Sequence, residues 1–146
     1  MRIAIAADHR GAEMGCTLRD HLTAAGHEVA VVGTLSTDPS DYPDLAEGVG
    51  AAIADGSADR GVLICGTGIG AAIAANKVGG VRAALVHDVR TAELSRQHND
   101  ANVLCLPGDT LSPTESCAVV DAWLTTRFEG GRHERRVKKI MALEGR

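Results

Sequence analysis

The chain has 146 residues, of which 45% are hydrophobic and only 2% aromatic, and its formal net charge is -4 at pH 7. This length and composition predict a single domain over residues 1–146, with a core built from Ala, Val, Leu and Ile. The net negative charge, without a basic block in the first hundred residues, argues against a nucleic-acid partner.

The cysteine pattern and the N-terminal residues indicate in which cellular compartment the protein is expected. The four cysteines contain no C-x-x-C pair and are scattered over the chain: Cys16, Cys65, Cys105 and Cys117. This pattern predicts neither a disulfide framework nor a zinc site, and indicates a reduced, cytoplasmic protein. The N-terminus lacks the features of a signal peptide, and no apolar run approaches the roughly 20 residues of a membrane helix. We therefore expect no membrane partner.

Short apolar runs alternate along the chain with segments of helical periodicity. The predicted strands are residues 2–7, 27–32, 62–65, 81–86 and 102–106. The predicted helices are residues 11–25, 43–55, 71–75 and 89–98, a fifth that is capped by Ser112 or Thr114 and runs to about Arg127, and a last basic helix at 132–144. This alternation is typical of βαβ units.

The predicted fold is a Rossmann- or flavodoxin-like α/β domain. Its five-stranded parallel sheet has helices on both faces, and the extra C-terminal helix is free to pack on a partner or to close over a site. Ligands of such sheets bind at the carboxyl ends of the strands where the winding reverses, and in the flavodoxin-like order strands one and three are neighbours there. Asp8 and His9 end strand one, and Cys65 ends strand three. We therefore expect these residues to meet.

The segment from Gly61 to Lys77 carries the strongest functional signal. A buried strand is followed by Gly66, Gly68 and Gly70 in alternation with Thr67 and Ile69, and then by a small-residue helix. A strand, a glycine loop and a helix N-terminus together can hold an anion. Cys65 stands before this loop, where the helix dipole and the loop N–H groups favour a thiolate that can act as a base or a nucleophile. The other three cysteines are assigned to packing.

Two other interpretations of the loop stay open. Gly66 to Ala71 matches G-x-G-x-x-A, and Asp88 follows about twenty residues later, as in a dinucleotide fingerprint. That fingerprint normally opens the first βαβ unit, whereas this loop opens the third. The glycines could also serve tight packing alone.

Some histidines and arginines are further candidates. His9 and His98 lie at the ends of elements among polar residues, whereas His133 is expected at the surface, as are His21 and His27. Arg132 and Arg136 share one helix face, which suits either a phosphate clamp or a solvated basic surface.

The chain resembles the ribose-5-phosphate isomerase B type, within the sugar-phosphate isomerase family that includes galactose-6-phosphate isomerase. Seven motifs, in order and at compatible spacing, carry the resemblance: Ala7-Asp8-His9, Asp41-Tyr42-Pro43, Cys65-Gly-Thr-Gly-Ile-Gly70, Ala74-Ala-Asn-Lys77, Ser95-Arg-Gln-His-Asn-Asp-Ala-Asn-Val103, Asp121-Ala-Trp-Leu124 and Glu129-Gly-Gly-Arg-His133. The Arg-Gln-His-Asn-Asp segment favours the ribose-5-phosphate branch.

The resemblance implies an isomerase of the pentose phosphate pathway that interconverts ribose 5-phosphate and ribulose 5-phosphate through an enediol, without metal or cofactor. It implies a homodimer or a dimer of dimers with sites at the subunit interface. Cys65 resembles the base that moves the proton between C1 and C2, since Ala71 stands where another subgroup has a glutamate. By the same resemblance, the N–H groups from Gly66 to Gly70, including that of Ile69, stabilise the enediolate, and Thr67 and His98 open the sugar ring. Asp8 orients the hydroxyls, and His9, Arg132 and Arg136 bind the phosphate. Tyr42 and Asn99 make further substrate contacts. The second subunit is a possible donor of His98 and Asn99.

One position departs from the family pattern. Family members usually carry an arginine near the phosphate in the turn after strand five, and this chain has Asp109 at about that place. The exchange of a cation for an anion leaves two other substrates open: a four-carbon sugar such as erythrulose 4-phosphate and a six-carbon sugar such as allose 6-phosphate.

Overall fold

The computed structural model describes residues 1–145, so the last residue of the predicted domain, Arg146, lies outside the described part. The strands of the described part are β1 (Arg2–Ala7), β2 (Glu28–Val31), β3 (Arg60–Cys65), β4 (Ala83–Leu85) and β5 (Val103–Pro107). Its helices are α1 (Ala12–Ala24), α2 (Tyr42–Ala54), α3 (Ile69–Ala75), α4 (Val89–Asn99), α5 (Pro113–Thr125) and α6 (Arg132–Met141). The predicted α/β alternation is confirmed.

All five strands pair in parallel, in the order β2-β1-β3-β5-β4. The predicted neighbours β1 and β3 lie side by side, where the winding reverses. Beyond β3 the order differs from the sequential flavodoxin order, because β5 pairs with β3 and β4 takes the edge. The difference has a physical reason: β5 is buried throughout, whereas the three residues of β4 are half-buried. A short strand that keeps some exposure suits an edge.

The side chains of β1 alternate between the two faces of the sheet and so divide the core into two layers. Ile3 and Ile5 belong to the layer covered by α1, α4 and α5, which also contains the chain's single tryptophan, Trp123, fully buried. Ala4 and Ala6 belong to the layer covered by α2 and α3, where small side chains let the helices approach the sheet closely. Helix α6 packs on α4, outside both layers.

The first turn of α5 settles which residue caps it. The Ser112 hydroxyl accepts a hydrogen bond from the Glu115 N–H at 3.2 Å, and the Glu115 carboxylate accepts one from the Ser112 N–H at 2.9 Å. This reciprocal arrangement is a capping box, so Ser112 is the N-cap and Thr114 is not.

Strand β4 is shorter than the predicted 81–86 because side-chain amides take the hydrogen bonds at its start. Asn102 Oδ1 accepts from the Arg82 N–H at 2.7 Å, and Asn76 Oδ1 accepts from the Ala83 N–H at 2.9 Å. Helix α6 is also shorter than predicted and ends at Met141. None of the helices in residues 1–145 combines the length and the apolarity needed to cross a membrane.

Candidate active site

A cleft of about 590 Å³ opens at the carboxyl edge of the sheet, where β1 and β3 end. The residues that line it are Asp8, His9, Arg10, Ser40, Asp41, Tyr42, Cys65, Gly66, Thr67, Ile69, Gly70 and Ile73. The structure thus brings the Asp8–His9 end of β1 to the glycine loop after β3, as the predicted strand order requires.

Cys65 is the last residue of β3 and lies at the inner end of the cleft, only 3% exposed. The Gly68 N–H donates to its Sγ at 3.1 Å, and an N–H dipole aimed at sulfur stabilises negative charge there. The other cysteines lie away from the cleft. Burial raises the pKa of the Cys105 and Cys117 thiols, which is consistent with their assignment to packing.

Two glycines of the loop are required by geometry. Gly68 has φ +74, and a Cβ there would lie 3.1 Å from the Leu106 carbonyl carbon. A Cβ on Gly70 would lie 2.6 Å from Tyr42 Oη, so the tyrosine ring packs directly on the loop. Both glycines therefore serve close packing, and Gly70 also lines the cleft.

The expectation that every N–H from Gly66 to Gly70 faces the ligand needs correction. The Gly68 N–H donates to Cys65 Sγ, and the Ile69 N–H donates to Thr67 Oγ1 at 3.3 Å, because acceptor side chains precede each of them by two or three residues. Within the described residues, the N–H groups of Gly66, Thr67 and Gly70 have no protein acceptor. These three N–H groups are therefore available as hydrogen-bond donors to a ligand.

Asp8 and His9 are fixed by the turn that ends β1. Asp8 is 4% exposed, and its Oδ1 accepts from the N–H groups of Arg10 at 3.0 Å and Gly11 at 3.2 Å. Its Oδ2 has no protein donor in the part of the chain that the structure describes. His9 is exposed, and its Nδ1 accepts from the Ser40 N–H at 3.5 Å.

The sequence reasoning gave no role to four lining residues, Ser40, Asp41, Ile73 and Arg10, and Arg10 is the one cation among them. Its Nε donates to Asp109 Oδ1 at 3.1 Å, and its Nη2 donates to Asp109 Oδ2. The available signal was its position directly after the two polar residues that end β1. Asp109, noted for its departure from the family pattern, thus forms an ion pair with a cleft residue.

Five of the predicted site residues do not line this cleft. One is Gly68, whose N–H donates to Cys65 Sγ, and the other four are His98, Asn99, Arg132 and Arg136. Helix α4 ends at Asn99, and Asn102 then pairs with Gly61 near the amino end of β3. Cys65 lies at the opposite end of β3, and the four residues from Gly61 span about 13 Å at roughly 3.3 Å per residue. The structure therefore divides the predicted site residues into two groups. The cleft cluster lies at the carboxyl ends of the strands, and the α4–α6 cluster, which contains His98, Asn99, Arg132 and Arg136, lies toward their amino ends.

His133 was expected at the surface, and this expectation is wrong. It is 5% exposed, and its ring stacks on His98 with centroids 4.2 Å apart and planes at 8°. The Glu129 N–H donates to the Gln97 carbonyl at 3.1 Å and holds the segment before α6 against α4. Burial lowers the pKa of His133, and the nearby His98 and Arg132 lower it further.

These histidines also belong to a possible metal-ligand group. His98, Glu129 and His133 each place one ligand atom within 4.8 Å of the others. However, the nitrogen lone pairs of two stacked rings lie in separate, parallel planes. A tetrahedrally coordinated metal ion needs lone pairs that point to one centre. The Arg132 Nε also donates to His133 Nε2 at 3.4 Å. The geometry favours a stacked pair of rings over a metal site.

Asp88, the acidic residue of the dinucleotide alternative, has a local structural role. It is the N-cap of α4, where its Oδ1 accepts from the Thr91 N–H at 2.7 Å. Its position after the glycine loop is therefore explained by helix capping.

Together, the fold and the cleft define a doubly wound α/β protein with a thiol and a glycine loop at the switch point of its parallel sheet. Residues 3–140 match the family described as Ribose/Galactose Isomerase, and the chain belongs to this family. It is 45% identical over 145 residues to ribose-5-phosphate isomerase B of Escherichia coli, an alignment that covers 99% of this chain and 97% of the relative. A probable ribose-5-phosphate isomerase B of Mycoplasma pneumoniae is 46% identical over 143 residues, covering 97% of this chain and 94% of the relative.

Solved structures agree with these sequence relatives. Ribose-5-phosphate isomerase B of Clostridium thermocellum superposes with a TM-score of 0.96 at 44% identity, covering 99% of this chain and 97% of that one. The enzyme of Mycoplasma genitalium with bound ribulose-5-phosphate superposes with a TM-score of 0.92 at 43% identity, covering 98% and 95%. The family resemblance and the fold class inferred from the sequence are confirmed.

Proposed function

We propose that the chain is an aldose–ketose isomerase that interconverts ribose 5-phosphate and ribulose 5-phosphate without a metal or a cofactor. The observation that carries the proposal is the Cys65 thiol at the inner end of the cleft, with an N–H donor on its sulfur and Asp8 beside it. The names of the full-length relatives support the same reaction and the same sugar.

In the proposed mechanism Cys65 is the catalytic base. Its thiolate removes the proton from C2 of the open-chain aldose, and the C2–H electron pair forms the C1–C2 double bond as the carbonyl pair moves onto O1, which gives the enediolate. The O2 proton then passes to O1, and the Cys65 thiol returns its proton to C1 as the C2 carbonyl forms, which gives the ketose. The free N–H groups of Gly66, Thr67 and Gly70 stabilise the enediolate oxygen, and one such donor contributes about 3 kcal/mol.

The remaining residues bind the substrate and open its ring. Thr67 and His98 act in ring opening, which must precede enolisation. Asp8 orients the hydroxyls through Oδ2, and Tyr42 and Asn99 supply further contacts. The phosphate is bound by His9, Arg132 and Arg136.

These roles require two copies of the chain. In one chain the cleft cluster and the α4–α6 cluster lie toward opposite ends of the strands. A second copy must therefore bring its His98, Asn99 and α6 to the cleft of the first. Ile69 and Ile73 of α3 support this arrangement, since they are 53% and 60% exposed at the cleft and suit cover by a partner. The proposed assembly is a homodimer or a dimer of dimers, and the proposed compartment is the reducing cytoplasm.

Turnover of purified protein tests the proposal directly. We expect the highest kcat/KM for ribose 5-phosphate when four-, five- and six-carbon aldose phosphates are compared. A preference for a four- or six-carbon sugar would move the assignment to erythrulose 4-phosphate or allose 6-phosphate. Absence of turnover with every aldose phosphate would contradict an isomerase.

The Cys65→Ala variant tests the base. We expect kcat to fall roughly 10²–10⁴-fold, the usual contribution of a positioned acid or base, while the dissociation constant of the sugar phosphate changes little. Cys117→Ala is the matched control, since Cys117 is a half-buried thiol of α5 outside the cleft, and it should keep full activity. Full turnover by Cys65→Ala would exclude the cysteine-base mechanism.

A further inference from the structure

The ion pair between Arg10 and Asp109 joins the ends of three strands. Arg10 follows β1, and Asp109 lies in the turn after β5. The Asp109 backbone N–H donates to the Gly66 carbonyl at 2.9 Å, and Gly66 follows β3. Both carboxylate oxygens of Asp109 accept from the guanidinium, so the pair is bidentate and the plane of the arginine fork is fixed.

The pair lies against the glycine loop that directly follows Cys65. A Cβ on Gly66 would lie 2.9 Å from Arg10 Nε and 2.9 Å from Asp109 Oδ2. Asp109 is the more enclosed partner, with 30% of its side chain exposed against 58% for Arg10. The carboxylate therefore anchors, and the guanidinium is the group that remains accessible.

The guanidinium keeps donors for a ligand. It has five N–H groups, and the bidentate bond uses two of them. Within residues 1–145 the guanidinium has no protein acceptor other than Asp109. Three N–H groups of a permanently charged side chain are thus available at the cleft.

The cleft of a single chain is otherwise poor in positive charge. Among the described residues that line it, Arg10 is the one arginine or lysine, beside His9 and the carboxyl groups of Asp8 and Asp41. A phosphorylated sugar brings a dianion into this surrounding. An arginine with free N–H groups is the side chain best suited to bind it.

We propose that Arg10 binds the phosphate of the sugar substrate from within the same chain that supplies Cys65, and that Asp109 is its positioning residue. This assignment rests on the proposed isomerase function. It adds an arginine to His9 among the phosphate contacts that follow β1, and it explains the anion at position 109 as the anchor of that arginine.

Steady-state kinetics with ribose 5-phosphate test the role of Arg10. We expect Arg10→Ala to raise KM about 10-fold or more and to change kcat by less than about 3-fold, because it removes binding shared by the ground and transition states. Arg19→Ala is the control, since Arg19 is an exposed, ion-paired arginine of α1, and its KM should be unchanged. An unchanged KM in Arg10→Ala, or a loss confined to kcat, would overturn the proposal.

The role of Asp109 is tested by a double-variant cycle. Asp109→Ala should raise KM less than Arg10→Ala does, and it should add nothing in the Arg10→Ala background, because it acts through the arginine. An unchanged or lowered KM in Asp109→Ala, or equal effects in both backgrounds, would exclude the positioning role.

Calorimetric titration of inorganic phosphate separates this inference from the proposed reaction. The dissociation constant of phosphate should rise about 10-fold in Arg10→Ala and stay unchanged in Arg19→Ala. If the wild-type protein turns over no aldose phosphate, the isomerase proposal fails while this binding difference still reports on Arg10. Equal phosphate affinity of the wild type and Arg10→Ala would refute the Arg10 contact itself.

Discussion

At the scale of the residue, Gly68 holds the environment of Cys65 in place. It combines a left-handed backbone with an N–H that donates to the sulfur, and Leu85 and Leu106 leave no room for a side chain. Because Gly68 adopts this backbone conformation, the Cys65 thiol is buried and its sulfur still accepts a hydrogen bond. The chemistry of Cys65 therefore depends on a neighbour that has no functional group of its own.

Gly68→Ala tests this dependence. We expect a loss of about 1–3 kcal/mol in the free energy of unfolding, because a left-handed alanine is strained, and a kcat at least about 10-fold lower because the loop must shift. Gly79→Ala is the control, since the nearest atom to a Cβ there lies 3.8 Å away. Urea denaturation followed by circular dichroism measures the first effect and the isomerase assay the second. Wild-type stability and rate in Gly68→Ala would contradict the argument.

The sequence predicts some residues of the site and misses others for a physical reason. Asp8 and Cys65 could be placed together because both end strands, and the order of parallel strands brings such ends to one edge. The sequence does not predict the positions of Arg10 and His133, because an arginine in a turn and a histidine in a basic helix are both expected to be exposed to solvent. Their contacts, with Asp109 and His98, join segments that are distant in sequence.

At the scale of the element, apolar periodicity predicts where strands and helices lie but not which strands pair. All five strands were found in the sequence, whereas the exchange of β4 and β5 in the sheet depends on tertiary burial. The ends of elements depend on single hydrogen bonds. For this reason the Asn76 and Asn102 side chains shorten β4, and the choice between two caps for α5 needed the structure.

The cap of α5 can be tested separately from the site. Ser112→Ala should lower the free energy of unfolding by about 1 kcal/mol, because the Glu115 N–H loses its acceptor. Thr114→Ala, two residues later in the same turn, removes a hydroxyl that does not cap the helix, so its effect should be clearly smaller. Urea denaturation at pH 7 measures both variants. Equal effects would show that the capping box does not stabilise α5.

At the scale of the whole molecule, the division of the predicted site residues between the two ends of the strands has a measurable outcome. If each site takes Cys65 from one chain and His98 from another, two inactive variants can complement each other. A mixed dimer of Cys65→Ala and His98→Asn chains contains one site that is intact and one that lacks both groups.

Complementation therefore tests the shared site. Each variant alone should be nearly inactive, and an equal mixture, unfolded and refolded together, should regain about a quarter of wild-type activity, because half of the dimers are mixed and half of their sites are intact. Separately refolded variants that are mixed without exchange of subunits are the control. Recovery that does not exceed this control would show that one chain supplies both groups.

The position of Trp123 has one more consequence. This single tryptophan is buried in the layer of α1, α4 and α5, whereas the cleft is lined by the α2–α3 side of the sheet and the turns at its edge. Its fluorescence therefore reports on the packing of a layer that no cleft side chain belongs to. The molecule contains its own optical probe of folding, and an inactive cleft variant with unchanged emission has lost chemistry and kept its core.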